Sequence, residues 1–478
     1  MKRKGLVILL VVLILLGAGI FGGVRYFQNT YVIISDTVYP NDVTELDLSG
    51  MEKPDVETLC GLTRLEKLNL RDTKLTVAQY EKLKNALPAC EIAWQVPFQG
   101  EYLETDTREL TIASLNQGEL ESLVYLPELK TVHAEGCSDL DMLMELRSRY
   151  PDVQVTYRVP IGGRKIASGT TVLMVNNPDV KELSRMLPYL SELEKLTLNG
   201  KISDMHGVLE LQEAYPHISI VWNVDIQGRS FVNTSREIDL SGLQLDSVAP
   251  VENVLKYLPN LEKIIMCNCG LSSETLDAFW KRHPEIRVVW SVKVSFFTVR
   301  TDATTLMPFK YGCGGMTDWD TREMKYLVDL ICLDMGHMGI SDLSFLNYMP
   351  NMQYLIIADN EVTDITPVAS LKKLKYFEMF LNKVTDISPL AQCTALEDVN
   401  LCFNPFKDVS PLLELEHLQH IWLKGVSLTW SQKKLLTEAF PEAKIVTGFS
   451  PVSSTDAGWR QIPGYYEQRD LLGMWYMR

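Results

Sequence analysis

The sequence contains little of what nucleic-acid binding or catalysis requires. Its 478 residues include 46 Lys and Arg against 61 Asp and Glu, a formal net charge of −15. Phosphate neutralisation needs clustered basic side chains, so the composition predicts no nucleic-acid partner. The chain also lacks G-x-S-x-G, P-loop, H-E-x-x-H and post-strand G-x-G-x-x-G motifs. We therefore predict no catalytic residues, no cofactor and no enzymatic activity.

Metal-binding and disulfide patterns are missing as well. The nine cysteines are odd in number and irregularly spaced, and no C-x-x-C occurs. We interpret them as small core residues. Of the seven histidines, His417 and His420 have a ligand-like spacing, but the repeat register described below places His420 on a strand beside Ile421. No metal site is predicted.

Only one long apolar run occurs, at the amino terminus. Lys2, Arg3 and Lys4 precede the 20 uncharged residues from Gly5 to Val24, enough for about 30 Å of helix. The basic cluster predicts a cytoplasmic N-terminus and an exported body. A cleaved signal peptide is the alternative, but the run exceeds the usual core of about 7–15 residues. Residues 1–25 are predicted to be a single-pass membrane anchor, and 26–44 a linker.

Residues 333–428 repeat with a period of 22, and together with a closing unit these repeats make up 333–447. Four residue types recur in register: Asp342, Asp364, Asp386 and Asp408; Asn360, Asn382 and Asn404; Pro367, Pro389 and Pro411; and the apolar Leu333, Leu355, Phe377, Val399 and Ile421. Each copy has the spacing L-x-x-L-x-L-x-x-N-x-L. A fixed period of this kind predicts a solenoid.

This pattern resembles the leucine-rich-repeat family, and the wording N-x-V-T-D-I-S-P-L at 382–390 resembles its bacterial, internalin-like members. The resemblance implies an α/β solenoid with a concave parallel β-sheet. The residues agree independently: L-x-L alternation indicates a half-buried strand, and Asn can bond the backbone of neighbouring turns. Ser-Pro and Thr-Pro pairs predict hydroxyl-capped short helices.

A longer repeat of about 64 residues covers 45–292. In each copy a proline is followed after six residues by an aromatic residue and after eight by a valine. These prolines are Pro88, Pro151, Pro216 and Pro284. Three strand positions are predicted in each unit. Thr76 with Gln79 and Thr429 with Gln432 indicate capping boxes. With 293–332 as a continuation, the spacing predicts one continuous solenoid.

The predicted binding surface is the concave face, because alternate strand side chains point away from the core. Equivalent positions of neighbouring strands, about 4.8 Å apart, carry aromatic residues, which predicts a platform that contacts a ligand. The alternative is that these rings only pack on each other. The candidate ligand-binding residues are Tyr354, Tyr376, Glu378, Phe380, His420, Trp422 and Lys424.

Residues 448–478 leave the repeat pattern. A linker rich in Ser, Pro, Thr and Gly precedes the aromatic residues Trp459, Tyr465, Tyr466, Trp475 and Tyr476. Since a solenoid must cover its open core, we predict a C-terminal cap that docks on the final repeats. A separate recognition peptide is the alternative.

The sequence thus predicts a non-enzymatic cell-envelope protein that binds a protein or neutral glycan outside the membrane. Two alternatives remain open at this stage. One is an envelope enzyme, or an enzyme-inhibitory subunit, with an unrecognised site. The other is a structural spacer between membrane and wall.

Overall fold

The computed structural model describes residues 30–34, 36–448 and 458–474. It divides into two compact units, Met1–Trp222 and Asn223–Arg478. The predicted membrane anchor lies outside the described residues. Within the described ranges, no helix has the length and apolar character needed to cross a membrane.

The first unit is built from short parallel sheets alternating with antiparallel hairpins. Its strands are Tyr31–Ile34 and Thr37–Pro40; Glu45–Asp47, Lys67–Asn69 and Glu91–Ala93; Gln95–Phe98 and Glu101–Glu104; Glu109–Thr111, Thr131–His133 and Gln154–Thr156; Arg158–Ile161 and Arg164–Ala167; and Val172–Asn176, Lys195–Asn199 and Ser219–Ile226. Each group of three is parallel, and each pair is antiparallel. The predicted three strands per long unit are therefore present.

The second unit continues this pattern and ends in a seven-stranded parallel sheet. The hairpin partner of Ser219–Ile226 is Arg229–Val232. Then follow Glu237–Asp239, Lys263–Ile265 and Arg287–Val289; the hairpin Ser291–Val294 and Phe297–Arg300; and the seven strands Thr305–Leu306, Cys332–Asp334, Tyr354–Ile356, Tyr376–Glu378, Asp398–Asn400, His420–Lys424 and Lys444–Gly448. The predicted strand position of His420 is confirmed.

Helices connect the parallel strands. The α-helices are Val56–Cys60, Val77–Ala86, Gln117–Ser122, Leu140–Arg149, Val180–Met186, Met205–Ala214, Ala249–Glu252, Ser273–Arg282, Trp430–Ala439 and Pro463–Leu471. The 3-10 helices are Leu123–Tyr125, Leu187–Tyr189, Leu255–Tyr257, Pro308–Tyr311, Arg322–Tyr326, Ser344–Tyr348, Thr366–Ser370, Ser388–Gln392, Ser410–Glu414 and Trp459–Gln461. Both predicted capping boxes are present, at Thr76 and Thr429.

The repeat asparagines form the predicted buried ladder. Asn382 Nδ2 donates to the carbonyl oxygens of Ile357 at 2.9 Å and Met379 at 3.1 Å, and its Oδ1 accepts from Val362 N at 3.0 Å. Asn404 donates to Met379 and Leu401 in the same way. Each side chain therefore satisfies backbone groups of two successive turns, which are otherwise costly to bury.

The short convex helices are capped differently from the prediction. The hydroxyls of Ser388 and Ser410 make no cap bond to their helices. Instead, Asp386 Oδ1 accepts from Ser388 N at 2.8 Å, and Asp408 Oδ1 accepts from Ser410 N at 2.9 Å. The aspartates that recur every 22 residues thus have a local structural role, since Asp side chains favour such turns.

The antiparallel hairpins were not predicted from the sequence. One of them, Tyr31–Ile34 with Thr37–Pro40, lies in the region predicted to be a linker. Two others turn at Gln99–Gly100 and Gln227–Gly228, where both residues have φ between 49° and 84°. Two-residue turns with positive φ match the twist of the strands they join.

The aromatic and cysteine positions of the repeats are in the core. Trp94, Tyr157, Trp222 and Trp290 are at most 2% exposed. Eight of the nine cysteines are buried, and all nine are free thiols. Cys269 Sγ lies 3.2 Å from the carbonyl oxygen of Leu240, taking the place of an asparagine in the ladder. The interpretation of these thiols as core residues agrees with their burial.

Candidate functional site

The seven-stranded sheet has one face turned towards the connecting helices and one turned away. Leu355, Phe377, Val399 and Ile421 point to the helices and are fully buried. We call the opposite side the outer face; it corresponds to the predicted concave face. Strand register aligns its rows: Tyr354, Tyr376, Asp398 and His420 in one, and Ile356, Glu378, Asn400 and Trp422 in the next. Ala358, Phe380, Cys402 and Lys424 follow these strands.

The outer face is covered by residues 458–474, which we call the tail. Trp459, Ile462, Tyr465, Leu472 and Met474 form one apolar cluster with Tyr354, Tyr376, Trp422 and other outer-face residues. The predicted docking of Trp459 and Tyr465 on the repeats is therefore observed. The tail lies on the outer face of the sheet, however, and not over the end of the stack. Trp475 and Tyr476 lie outside the described residues.

The tail crosses the strands from the carboxyl-terminal end of the sheet back to its first strands. Its first ring, Trp459, lies 5.0 Å from the ring centroid of Trp422 and 5.1 Å from that of Tyr376. At the other end, the carbonyl oxygen of Leu472 accepts from Lys310 Nζ, just beyond the first strand. The tail thus spans the whole array of 22-residue repeats.

Gly464 sets the closest approach of the tail helix. A Cβ atom at this position would collide with the Asp398 carboxylate and lie 3.0 Å from the Tyr376 ring. Asp398 has little freedom to move, because its Oδ1 is 2.6 Å from His420 Nδ1 and its side chain is 8% exposed. A residue without a side chain is therefore required where the helix backbone meets the sheet.

A buried ion pair joins the tail to the second strand. Arg469 Nη1 lies 3.1 Å from Asp334 Oδ2, and the two side chains are 13% and 8% exposed. The guanidinium also lies 4.9 Å from the Tyr465 ring centroid. The Tyr354 hydroxyl donates a hydrogen bond to the Glu467 carboxylate. Removing one partner of such a pair leaves a buried charge uncompensated.

Glu378 places a second carboxyl group under the tail. Burial raises the pKa of this carboxyl above its usual value, while a 2.6 Å hydrogen bond from the Tyr376 hydroxyl opposes the shift. Burial likewise raises the pKa of Asp398, and its contact with His420 opposes that shift. Both carboxyl groups face the tail and not open solvent.

The seven predicted site residues do come together, but they are not exposed. Tyr376 and Trp422 are fully buried, while Tyr354, Glu378 and Lys424 are each 6% exposed. Phe380 is half-buried at the edge of the cluster, and His420 is half-buried beside Trp422. The predicted platform therefore holds part of its own chain.

The polar partners of this surface were not predicted from the sequence. Asp334 and Asp398 lie in outer-face rows, yet only their pairing with Arg469 and His420 gives them a role. A signal was available, because Tyr354, Tyr376 and Trp422 of the seven-stranded sheet stand at outer-face positions where the first unit has polar residues such as Glu109 and Thr131. A change from polar to apolar at equivalent positions indicates a partner.

One cavity of about 450 Å³ lies apart from this surface. It is lined by Asp277, Trp280, Lys281, Pro284, Lys325, Tyr326, Val328 and Tyr348. Its only acid, Asp277, is engaged by Lys281 at 2.7 Å along the same helix. Within the described ranges, no group of three or more His, Cys, Asp or Glu side chains is arranged to hold a metal ion.

Comparisons with known proteins give structural neighbours only. No protein-family model and no curated protein matches the chain. Among solved structures, internalin C2 of Listeria monocytogenes is 20% identical, with 44% of this chain and 80% of that one covered and a TM-score of 0.25. Internalin F of the same species is 14% identical, covering 87% and 85%, at 0.26. A leucine-rich-repeat protein of Leptospira interrogans is 14% identical, covering 85% and 96%, at 0.25.

Two of these neighbours are internalins and the third is a leucine-rich-repeat protein by name. By its own geometry, this chain has a leucine-rich-repeat type of fold. The parallel strands recur every 22 residues, and the asparagine side chains join successive turns.

Proposed function

We propose that the protein is a non-enzymatic, membrane-anchored leucine-rich-repeat protein that binds another protein through its outer face. One observation carries the proposal: the face holds a polypeptide segment already. The tail buries the aromatic Trp459 and Tyr465 and pairs Arg469 with Asp334. Buried aromatic anchors with a central charge pair are typical of protein-binding surfaces.

The proposed location is outside the cytoplasmic membrane, with residues 5–24 as the anchor. The support is the basic cluster Lys2, Arg3 and Lys4 before an uncharged run of 20 residues. Protease added to intact spheroplasts that express the full chain is expected to digest residues 26–478. Full protection of the body until the membrane is lysed would contradict this location.

Site-directed photo-cross-linking tests the binding surface. A benzophenone amino acid replaces Phe380, which lies at the accessible edge of the outer face. The control site is Lys372, an exposed residue on the connection between strands. Both substitutions are made in the full chain and in its Gly464→Leu variant, in which the tail cannot dock.

The expected result is a protein adduct from envelope membranes at position 380, stronger in the Gly464→Leu background, and none at position 372. A face that binds only a neutral glycan would give no protein adduct but would retain the chain on wall polysaccharide. Equal adducts at both positions would contradict a specific surface.

A further inference from the structure

The contact between the tail and the outer face is imperfectly paired. Among the residues that the structure describes, several buried side-chain nitrogen and oxygen atoms of this contact have no hydrogen-bond partner within the chain. The clearest case is Gln468, which is 0% exposed and whose amide nitrogen and oxygen both lack a partner. Asn400 Nδ2 and Trp422 Nε1, on the sheet side, are in the same state.

These atoms weaken the docking of the tail. A buried polar group that loses its hydrogen bond to water without gaining another destabilises the contact. The asparagine ladder beneath the same strands shows the contrast, since Asn360 Nδ2 alone donates to the carbonyl oxygens of Met335 at 2.8 Å and Ile357 at 3.0 Å. The ladder amides are paired, whereas the Gln468 amide in the tail contact is not.

The tether compensates for this weakness. Nine residues, 449–457, separate Gly448, at the end of the last strand, from Gly458, at the start of the tail. A short linker of this kind gives an effective concentration in the millimolar range, so a segment of low intrinsic affinity still occupies its site. An untethered helix with better pairing can therefore compete.

We propose that the tail is a displaceable occupant of the outer face, and that the partner is an amphipathic helix from another polypeptide. This proposal rests on the proposed function of that face. The helix carries aromatic residues where Trp459 and Tyr465 stand, a residue no larger than glycine at position 464 and an arginine opposite Asp334. At the position of Gln468 it carries an apolar residue. Release of the tail is the step that opens the face.

The test uses fluorescein-labelled synthetic peptides of residues 458–474 and fluorescence anisotropy. The peptides are the native sequence, Gln468→Leu, Arg469→Glu and, as a matched control, Gln461→Leu. Gln461 is exposed, unlike Gln468. They are titrated against the full chain in detergent and against two full chains with an undocked tail, Gly464→Leu and Arg469→Glu.

We expect the native peptide to bind both undocked chains at least about tenfold more tightly than the unaltered chain. The Gln468→Leu peptide should bind about tenfold more tightly than the native one, which corresponds to about 1.4 kcal/mol. The Gln461→Leu peptide should match the native one. The Arg469→Glu peptide should lose binding and regain it on a Gly464→Leu chain that also carries Asp334→Lys.

Two results would overturn the proposal. One is that neither the native nor the Gln468→Leu peptide binds an undocked chain whose circular dichroism is unchanged, in which case the tail is a fixed part of the fold. The other is concentration-dependent dimerisation of the undocked chains without peptide binding, in which case the occupant is a second copy. An adduct at position 380 without peptide binding would overturn the displaceable tail but leave the proposed function standing. Peptide binding without an adduct would support the displaceable tail and contradict the proposed function.

Discussion

At the scale of single residues, the asparagine ladder determines how firmly the 22-residue repeats stack. Asn382 is 7% exposed and makes four hydrogen bonds to the backbone of two turns. Replacing it with alanine leaves those backbone groups buried and unpaired. We expect Asn382→Ala to lower the free energy of unfolding by about 3 kcal/mol, measured by urea unfolding. The exposed Asn347→Ala is the control, with an expected change below about 0.5 kcal/mol.

Glu378 makes stability depend on pH. Because burial raises its pKa in the folded protein, the folded state binds its proton more tightly than the unfolded state does. Stability therefore falls as pH rises from the ordinary value of 4.5 through the raised one, by up to about 1.4 kcal/mol for each pH unit. Asp334 adds to this shift, while Arg469 and the Tyr376 hydroxyl oppose it.

The Glu378→Gln variant tests this assignment. It should be more stable than the unaltered chain at neutral pH, with a difference that vanishes below the ordinary carboxyl pKa. The control is Glu361→Gln, which removes an exposed carboxylate paired with Lys383 and should leave the profile unchanged. Thermal unfolding at a series of pH values gives both profiles. Parallel profiles for Glu378→Gln and the unaltered chain would show that Glu378 does not carry the dependence.

At the scale of elements, two arginines of the tail distinguish the effect of the ion pair on docking from the effect of positive charge alone. Arg469 is buried and paired with Asp334, whereas Arg460, on the same tail, is exposed. Arg469→Ala leaves the Asp334 carboxylate uncompensated, so we expect it to release the tail at a cost of about 3–5 kcal/mol. Arg460→Ala should have no effect. Hydrogen exchange of the amides in Pro463–Leu471 measures the release, and equal protection in both variants would contradict it.

Elements also show where sequence patterns were sufficient. Apolar alternation predicted the parallel strands correctly, and the position of Asn382 predicted the ladder. Both patterns involve residues only a few positions apart. The hairpins were missed although Gln99–Gly100 and Gln227–Gly228 lie between alternating apolar residues. Gln-Gly is a weaker turn signal than Asn-Gly. The helix cap was predicted to be the serine hydroxyl, whereas the structure has Asp386 in that role. Both kinds of side chain can bond the same backbone groups.

At the scale of the whole molecule, the tail keeps an apolar surface from solvent. Ending the chain at Gly448 would expose Tyr354, Tyr376 and Trp422 together. A contiguous apolar patch of this kind promotes self-association. We expect the shortened chain to show a lower unfolding temperature and to form oligomers in light scattering. Full chains with Leu471→Ala, an exposed position on the tail, should stay unchanged, and a monomeric shortened chain of unchanged stability would contradict this expectation.

The sequence by itself determined the repeat period, the positions of the parallel strands, the ladder and which residues share the outer face. All of these follow from spacings within one or two turns of the solenoid. Only the tertiary structure decided whether that face is free. Its cover, residues 458–474, is not periodic, and Asp334 meets Arg469 across 135 positions of chain. Alternation tells which side chains leave the core, but what they meet depends on contacts that no local pattern encodes.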